Sequence, residues 1–194
     1  MSTGTDVSKV WLSTSVRVER YLAMEKAEDR AGIAKFLYER FMERYLVPLK
    51  EVGKGYENGF LVMASCCLLI ESLMAFREGW PSTEGLSQRA FELFFKAEAE
   101  FAVFRGQGVD FWKGVRCGIL HQGETALGWR LNFTDKAAPL LEALEKRVNC
   151  FKFMDALEKV LSDYRALLES TPWKYEQWQN VRKKMAATIN GCES

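Results

Sequence analysis

FLVMASCCLLI, Phe60 to Ile70, forms most of the longest uncharged stretch of the 194-residue chain, 58–70, and decides the fold. Glu57 and Glu71 flank it on either side. Its 11 residues are too few to cross a bilayer as a helix, because a spanning helix takes roughly 20. The stretch therefore predicts a helix that is buried on most of its sides, with the rest of a helical protein packed around it.

Helical periodicity continues along most of the chain. Prolines stand only at positions 48, 81, 139 and 172, and they separate segments whose apolar residues recur at spacings of three and four. We expect helices over 8–28, 29–50, 57–78, 83–104, 110–121, 150–168 and 171–189. The pattern predicts an all-α bundle of about five to seven helices in a single domain, 1–194.

One segment departs from this helical pattern. In LGWRLNFTDKAAP the apolar residues Trp129, Leu131 and Phe133 alternate with polar ones, which is typical of a short strand. A partner for that strand is expected near residues 147–149. The sequence therefore allows one small β-hairpin within 129–149.

Composition and charge narrow the class of protein. Hydrophobic residues make up 48% of the chain and charged residues 27%, values typical of a soluble globular protein. Lys and Arg number 27 against 26 Asp and Glu, a formal net charge of +1. That balance provides no global field for nucleic acid or an anionic membrane, so binding to a polyanion requires a local basic patch.

The cysteines and the first residues indicate a compartment. MSTGTDVSKV shows no basic segment followed by an apolar one, so we expect no secretory signal and no membrane partner. The five cysteines are odd in number and form no CxxC, which predicts reduced thiols and a cytoplasmic location. Neither a zinc site nor another cofactor is expected, because the ligand spacings are missing.

The chain holds one histidine, His121, in VRCGILHQGE, 115–124. Arg116 lies five residues before it. Histidine accepts and donates protons near neutral pH, and arginine presents a fork of donors to phosphate oxygens. Two interpretations without a catalytic role stay open. A cation near a helix C-terminus is stabilised by the last backbone carbonyls, which would explain Arg116 and His121. Cys117, four residues before His121, is more often an inert thiol than a nucleophile.

The spacing R-x4-H resembles the signature of the HEPN superfamily, small helical domains that include metal-independent endoribonucleases. DFWKGVRCGILHQGE, 110–124, is similar to the motif-bearing helix of that family, and LLIESLMAF, 68–76, is similar to its preceding core helix. Cys117 follows the arginine where such motifs often carry a polar residue. The resemblance covers about 30–170, with the helices 8–28 and 171–189 as additions to that core.

The resemblance implies a function and a mechanism. We expect cleavage of single-stranded RNA by attack of the 2′-hydroxyl, with Arg116 stabilising phosphate charge and His121 transferring protons. The products would be a 2′,3′-cyclic phosphate and a 5′-hydroxyl. One chain supplies one histidine whereas acid–base cleavage uses two proton-transfer groups, so a homodimer with a composite site is expected. A toxin-like or defence setting, with an antitoxin or another regulatory protein as partner, follows from the family alone.

Two alternatives stand beside the nuclease hypothesis. One is a non-catalytic HEPN module that binds RNA, nucleotide or a protein partner. The other is a structural helical protein, in which Arg116 and His121 only support the fold.

Further residues are assigned supporting roles. Lys113, Gln122 and Arg130 are RNA-binding candidates, and Glu71 and Asp110 are candidates for orienting the arginine. A continuous α-helix would place positions 116 and 121 roughly 140° apart. The helix must therefore loosen near Gly118 or Gly123, or the long arginine side chain must reach across.

The last predicted helix combines tryptophans with basic residues, in TPWKYEQWQNVRKKM. Such a mixture can bind single-stranded nucleic acid through Trp173, Trp178 and the cations at 182–184. Docking of a terminal helix by its tryptophans is the more common use of this pattern, and we prefer that interpretation.

Overall fold

The computed structural model describes residues 6–51 and 58–192, and within them the chain is mostly helical. Its α-helices are α1 (Val18–Lys26), α2 (Arg30–Phe41), α3 (Val47–Glu51), α4 (Gly59–Arg77), α5 (Ser87–Ala97), α6 (Gly108–Phe111), α7 (Gly118–Gln122), α8 (Cys150–Ser170) and α9 (Glu176–Asn190). Wider π-helical turns join α2 to α3 (Met42–Leu46) and α6 to α7 (Trp112–Cys117). The helical prediction is confirmed at this level. The predicted start of one helix at Glu57 lies outside the described residues.

The helix predicted over 8–28 is too long at its N-terminal end. It begins only at Val18, after a 3-10 turn at Val7–Lys9 and a looped segment. The Ser13 hydroxyl accepts hydrogen bonds from the backbone N–H of Ser15 and Val16. Short hydroxyl side chains compete in this way with helical backbone bonds, and this is why the apolar periodicity was misleading here.

Two other predicted helices have different bounds. The segment 83–104 splits at Glu98, whose ψ of 121° is extended, into α5 and a 3-10 helix at Ala99–Phe104. The segment 171–189 becomes helical only at Glu176, because Thr171 still closes the preceding helix by donating its hydroxyl to the Leu167 carbonyl. The other predicted ends lie close to the observed ones.

The small β element is present, and it has three strands rather than two. β1 (Arg130–Asn132), β2 (Leu141–Glu142) and β3 (Arg147–Asn149) lie in the order β1-β3-β2. β2 and β3 are antiparallel. β1 pairs with β3 as predicted, with Leu131 opposite Val148, but the two run parallel. The strand alternation gave the partner correctly, but it carries no signal for direction.

Backbone proximity groups the chain into two compact units. The first falls within Met1–Arg44, Ala75–Ser82 and Leu161–Ser194, and the second within Tyr45–Met74 and Thr83–Val160. Each is assembled from separate stretches of the sequence. The prediction of a single domain stays a prediction.

The second unit has a core of aromatic side chains. Its phenylalanine rings are at most 1% exposed and pack against one another at centroid distances of 4.8 to 6.4 Å: Phe91, Phe94, Phe95, Phe101, Phe104, Phe111 and Phe153. Ring pairs at such distances add to the hydrophobic effect of burial. Phe111 lies in α6, so this core anchors the start of the segment that leads to Arg116.

In the first unit, Trp173 and Trp178 hold the last helix against the chain, which agrees with the preferred interpretation of this segment. Trp178 is fully buried, and its indole N–H donates to the Thr171 carbonyl at 3.0 Å. Trp173 packs on Trp178 at 4.8 Å and carries the Arg182 guanidinium at 4.8 Å from its ring. These contacts occupy the aromatic surface that base stacking would need.

Helix α4 is longer than the uncharged run suggested. At 19 residues it meets the length and composition test for crossing a membrane, so the limit drawn from 11 residues was too strict. A core helix of a folded protein passes the same test, and most of α4 is buried inside the protein. Cys66 and Cys67 are fully buried on it, and burial raises the pKa of both thiols.

Candidate functional site

Arg116 and His121 lie on one run of helical backbone, 108–122, which is called the motif helix below. It consists of α6, the π-helical turn Trp112–Cys117 and α7, without a break. A π-helical turn bonds residue i to i+5 and changes the angular spacing of side chains. The loosening of the helix that the 140° offset requires is therefore present, and it lies directly before Gly118.

The motif helix ends immediately after the histidine. Gly123 adopts a left-handed φ of 72°, and its N–H donates to the Ile119 carbonyl at 3.1 Å while the N–H of Glu124 reaches Gly118 at 3.4 Å. The first of these bonds, from a left-handed glycine to the carbonyl four residues back, is the αL motif that closes helices. Because the chain turns away here, His121 stands in the last turn with its side chain exposed.

Glu71, on α4, accepts hydrogen bonds from the Arg116 guanidinium. The Arg116 Nε donates to Glu71 Oε1 at 2.7 Å, and Nη2 donates to Oε2 at 3.4 Å. The Glu71 side chain is 8% exposed and the Arg116 side chain 17%. Two parallel bonds from a planar guanidinium to a carboxylate fix its orientation. The predicted orienting role of Glu71 therefore has a geometric basis.

The charge on Arg116 is secured by the same contact. Partial burial lowers the pKa of its guanidinium, but the hydrogen bond and charge of Glu71 outweigh that effect, with smaller contributions from Cys117. The net result is an arginine whose pKa is raised above its ordinary value. It stays a fixed cation at any pH at which the protein is folded.

The histidine lies within reach of that cation. Arg116 Nη1 and His121 Nε2 are 3.3 Å apart. A guanidinium can only donate, so in this contact the Nε2 atom of His121 accepts and carries a lone pair. The imidazole is thereby placed as a proton acceptor beside a permanent positive charge.

The guanidinium has donors left over. Arginine carries five N–H groups, of which Glu71 and His121 engage three. The Cys117 thiol also lies against it as a weak acceptor. At least one N–H on the terminal nitrogens is therefore available to a phosphate oxygen, and the thiol is an acceptor that a phosphate would readily replace.

The hydrogen bonds of Asp110 go to residues other than Arg116. Its Oδ2 accepts from the indole Nε1 of buried Trp129 at 3.0 Å and from Lys146 Nζ at 2.6 Å. These two bonds tie the motif helix to the residues that precede β1 and β3, and the orienting role of Asp110 stays a prediction. The periodicity of one helix could not reveal partners 19 and 36 residues away.

We expect Asp110→Ala to lower the free energy of unfolding by about 1–3 kcal/mol, because the buried Trp129 indole loses its acceptor. Asp110→Asn, which keeps an acceptor oxygen, should cost less. Lys146→Ala should cost under about 1 kcal/mol, because that ion pair is partly exposed. Urea denaturation of the three variants measures these differences. Equal losses for Asp110→Ala and Lys146→Ala would show that the ion pair, and not the indole hydrogen bond, carries the stability.

Two glycines of the motif helix were missed as site residues. A Cβ at Gly114 would lie 2.3 Å from the Trp129 ring, and one at Gly118 would lie 2.4 Å from the Glu124 carbonyl oxygen. Their bare backbone therefore admits the loop 124–129 against the helix. The spacing Gly-x-x-x-Gly in WKGVRCG is the sequence signal that pointed to this close approach.

The three RNA-binding candidates are exposed, and they lie at different places along the chain relative to Arg116 and His121. Lys113 lies on the motif helix and Gln122 directly follows His121. Arg130 opens β1, beyond the loop that packs on Gly114 and Gly118.

Known proteins provide no further guide. No protein-family model, no curated protein and no solved structure matches this chain. The site itself consists of a buried carboxylate, a fixed guanidinium and an exposed imidazole in one hydrogen-bonded row.

Proposed function

We propose that this protein is a metal-independent endoribonuclease with a HEPN-like fold that cleaves single-stranded RNA. The observation that supports this most directly is the row Glu71–Arg116–His121, in which a permanent cation with a free donor adjoins the one imidazole of the chain. The mostly helical architecture and the place of the pair at the end of a late helix agree with the family resemblance.

The proposed reaction assigns each group a step. His121 removes the proton of a ribose 2′-hydroxyl, which attacks the adjacent phosphorus. Arg116 stabilises the charge that develops on the phosphate oxygens, an interaction that strengthens as the transition state forms. Glu71 keeps the guanidinium facing the exposed imidazole. A proton delivered to the 5′-oxygen completes the cleavage, leaving a 2′,3′-cyclic phosphate and a 5′-hydroxyl.

The last proton requires a second acid. Each chain has a single histidine, so a composite site with His121 from two copies would supply one base and one acid. Exposure of His121 on the surface of the chain is what such a site needs. We therefore include a two-fold homodimer in the proposal, together with a cytoplasmic setting and a regulatory partner such as an antitoxin.

The decisive experiment is incubation of the purified protein with a single-stranded RNA oligonucleotide in EDTA, with products identified by mass spectrometry. We expect 2′,3′-cyclic phosphate and 5′-hydroxyl ends, and no cleavage of the matching oligonucleotide that carries 2′-O-methyl groups. RNA binding without cleavage would favour the non-catalytic HEPN module. Neither binding nor cleavage, in a folded dimer, would favour a structural role.

A further inference from the structure

A second candidate site lies in the same unit, at the start of the motif helix. A cavity of about 250 Å³ opens there between α5 and the turn that leads into α6. Its lining consists of Glu92, Lys96, Arg105, Gly106, Gly108 and Val109. None of these residues takes part in the row that contains Arg116.

The backbone is brought close to the cavity by two glycines. Gly106 adopts a left-handed φ of 77°, a conformation that side-chain-bearing residues rarely take. A Cβ at Gly108 would lie 2.8 Å from the Glu92 Cα, so the first residue of α6 packs directly on α5. A Cβ at Gly106 would meet no atom within 4 Å, so the turn is open at that position, whereas Gly108 holds the start of α6 against α5.

The charges around the cavity are not balanced. Lys96 and Arg105 both line the cavity. Within the described part of the chain, neither side chain forms an ion pair with a carboxylate. Glu92 contributes one negative charge, and its Oε1 accepts a hydrogen bond from Gln88 at 2.8 Å. The lining thus has two cations against one carboxylate, and its excess positive charge favours an anion.

We propose that this cavity binds a phosphate group of a nucleotide. At about 250 Å³ the cavity is smaller than the roughly 300–1,000 Å³ of pockets for drug-sized molecules, a size that suits a phosphate with part of its sugar. Arg105 provides planar bidentate donors for phosphate oxygens and Lys96 a mobile point charge. The base of the nucleotide lies outside.

The phosphate can come from a free nucleotide or from an RNA strand. Along the axis of the motif helix, position 108 lies at most about 12 Å from position 116, the rise of eight α-helical residues. An RNA strand that contacts both the cavity and Arg116 would place one phosphate in the cavity and another phosphate at the bond that is cut. The cavity itself is inferred from its own charges, independently of the nuclease proposal.

Isothermal titration calorimetry of the full chain with inorganic phosphate, adenosine 5′-monophosphate and a 2′-O-methyl trinucleotide bearing a 5′-phosphate tests the proposal. Binding is expected with all three. Tightest binding of the mononucleotide identifies a free nucleotide as the source, and tightest binding of the trinucleotide identifies an RNA strand. Because none of the probes is cleaved, the outcome is independent of nuclease activity.

Three variants locate the binding. Lys96→Ala and Arg105→Ala should each weaken phosphate binding about fivefold or more, the effect of losing one charge at about 4 Å in water. Glu92→Gln should tighten it, by up to about fivefold, since it removes the one negative charge of the lining. A loss of folding cannot produce that gain. The control is Lys35→Ala, an exposed lysine on α2, which should bind as the wild type does.

The proposal is overturned if the wild-type protein binds none of the probes at millimolar concentration. It is equally overturned if Glu92→Gln, Lys96→Ala and Arg105→Ala all bind phosphate with the wild-type affinity. Either result leaves the nuclease proposal standing, because that rests on cleavage and on different residues.

Discussion

Replacement of His121 by alanine is expected to abolish RNA cleavage in EDTA while the protein stays folded. A positioned general acid or base contributes about 10²- to 10⁴-fold to a rate. The chain has no other histidine, so no second imidazole can substitute. The side chain is exposed, and substitutions at such positions usually change stability by no more than about 0.5 kcal/mol.

The measurement is the single-turnover cleavage rate of a short RNA, taken together with a thermal melt of each protein. Glu124→Gln is the matched control, an exposed residue three positions further along that is outside the proposed site. It should cleave at the wild-type rate. Undiminished cleavage by a folded His121→Ala protein would rule out the proposed mechanism, since the chain has no other histidine to replace it.

The sequence predicted most of the helices because burial imposes a period on them. Apolar spacing located α4 and α8 to within a few residues, since both pack their faces into a core over about five turns. It failed at 8–17, where serine hydroxyls compete for the backbone. It also could not detect the π-helical turn Trp112–Cys117, because a single widened turn is too short to show a period of its own.

The site was predicted in part. The spacing of Arg116 and His121, and the glutamate in LLIES, pointed to three side chains that the fold does bring together. The tie from Asp110 to Trp129 and Lys146 was missed, because tertiary contacts between distant segments leave no periodic signal. Gly114 and Gly118 did leave one, in the spacing of four that allows close backbone approach.

Replacement of Arg116 by methionine is expected to remove activity and stability together. The lost guanidinium should lower the cleavage rate about 10²- to 10³-fold, the effect of deleting one transition-state donor. Methionine keeps much of the apolar volume, yet Glu71 loses both of its hydrogen bonds at 8% exposure. An unpaired carboxylate so placed costs about 3 kcal/mol, near the low end for buried pairs because the arginine itself is partly exposed.

The double variant Arg116→Met/Glu71→Gln separates the two effects. Glutamine is neutral, so the penalty of an isolated buried charge disappears, and most of the lost stability should return in urea denaturation. Neighbouring groups of one network deviate from additivity in this way. Cleavage should not return, because no cation is left to meet the phosphate. If the double variant recovered cleavage along with stability, Arg116 would act only as scaffold and the charge stabilisation would have to come from elsewhere. Glu71→Gln alone should keep Arg116 charged and lose about tenfold in rate, because a single amide oxygen replaces the two acceptors that orient the guanidinium.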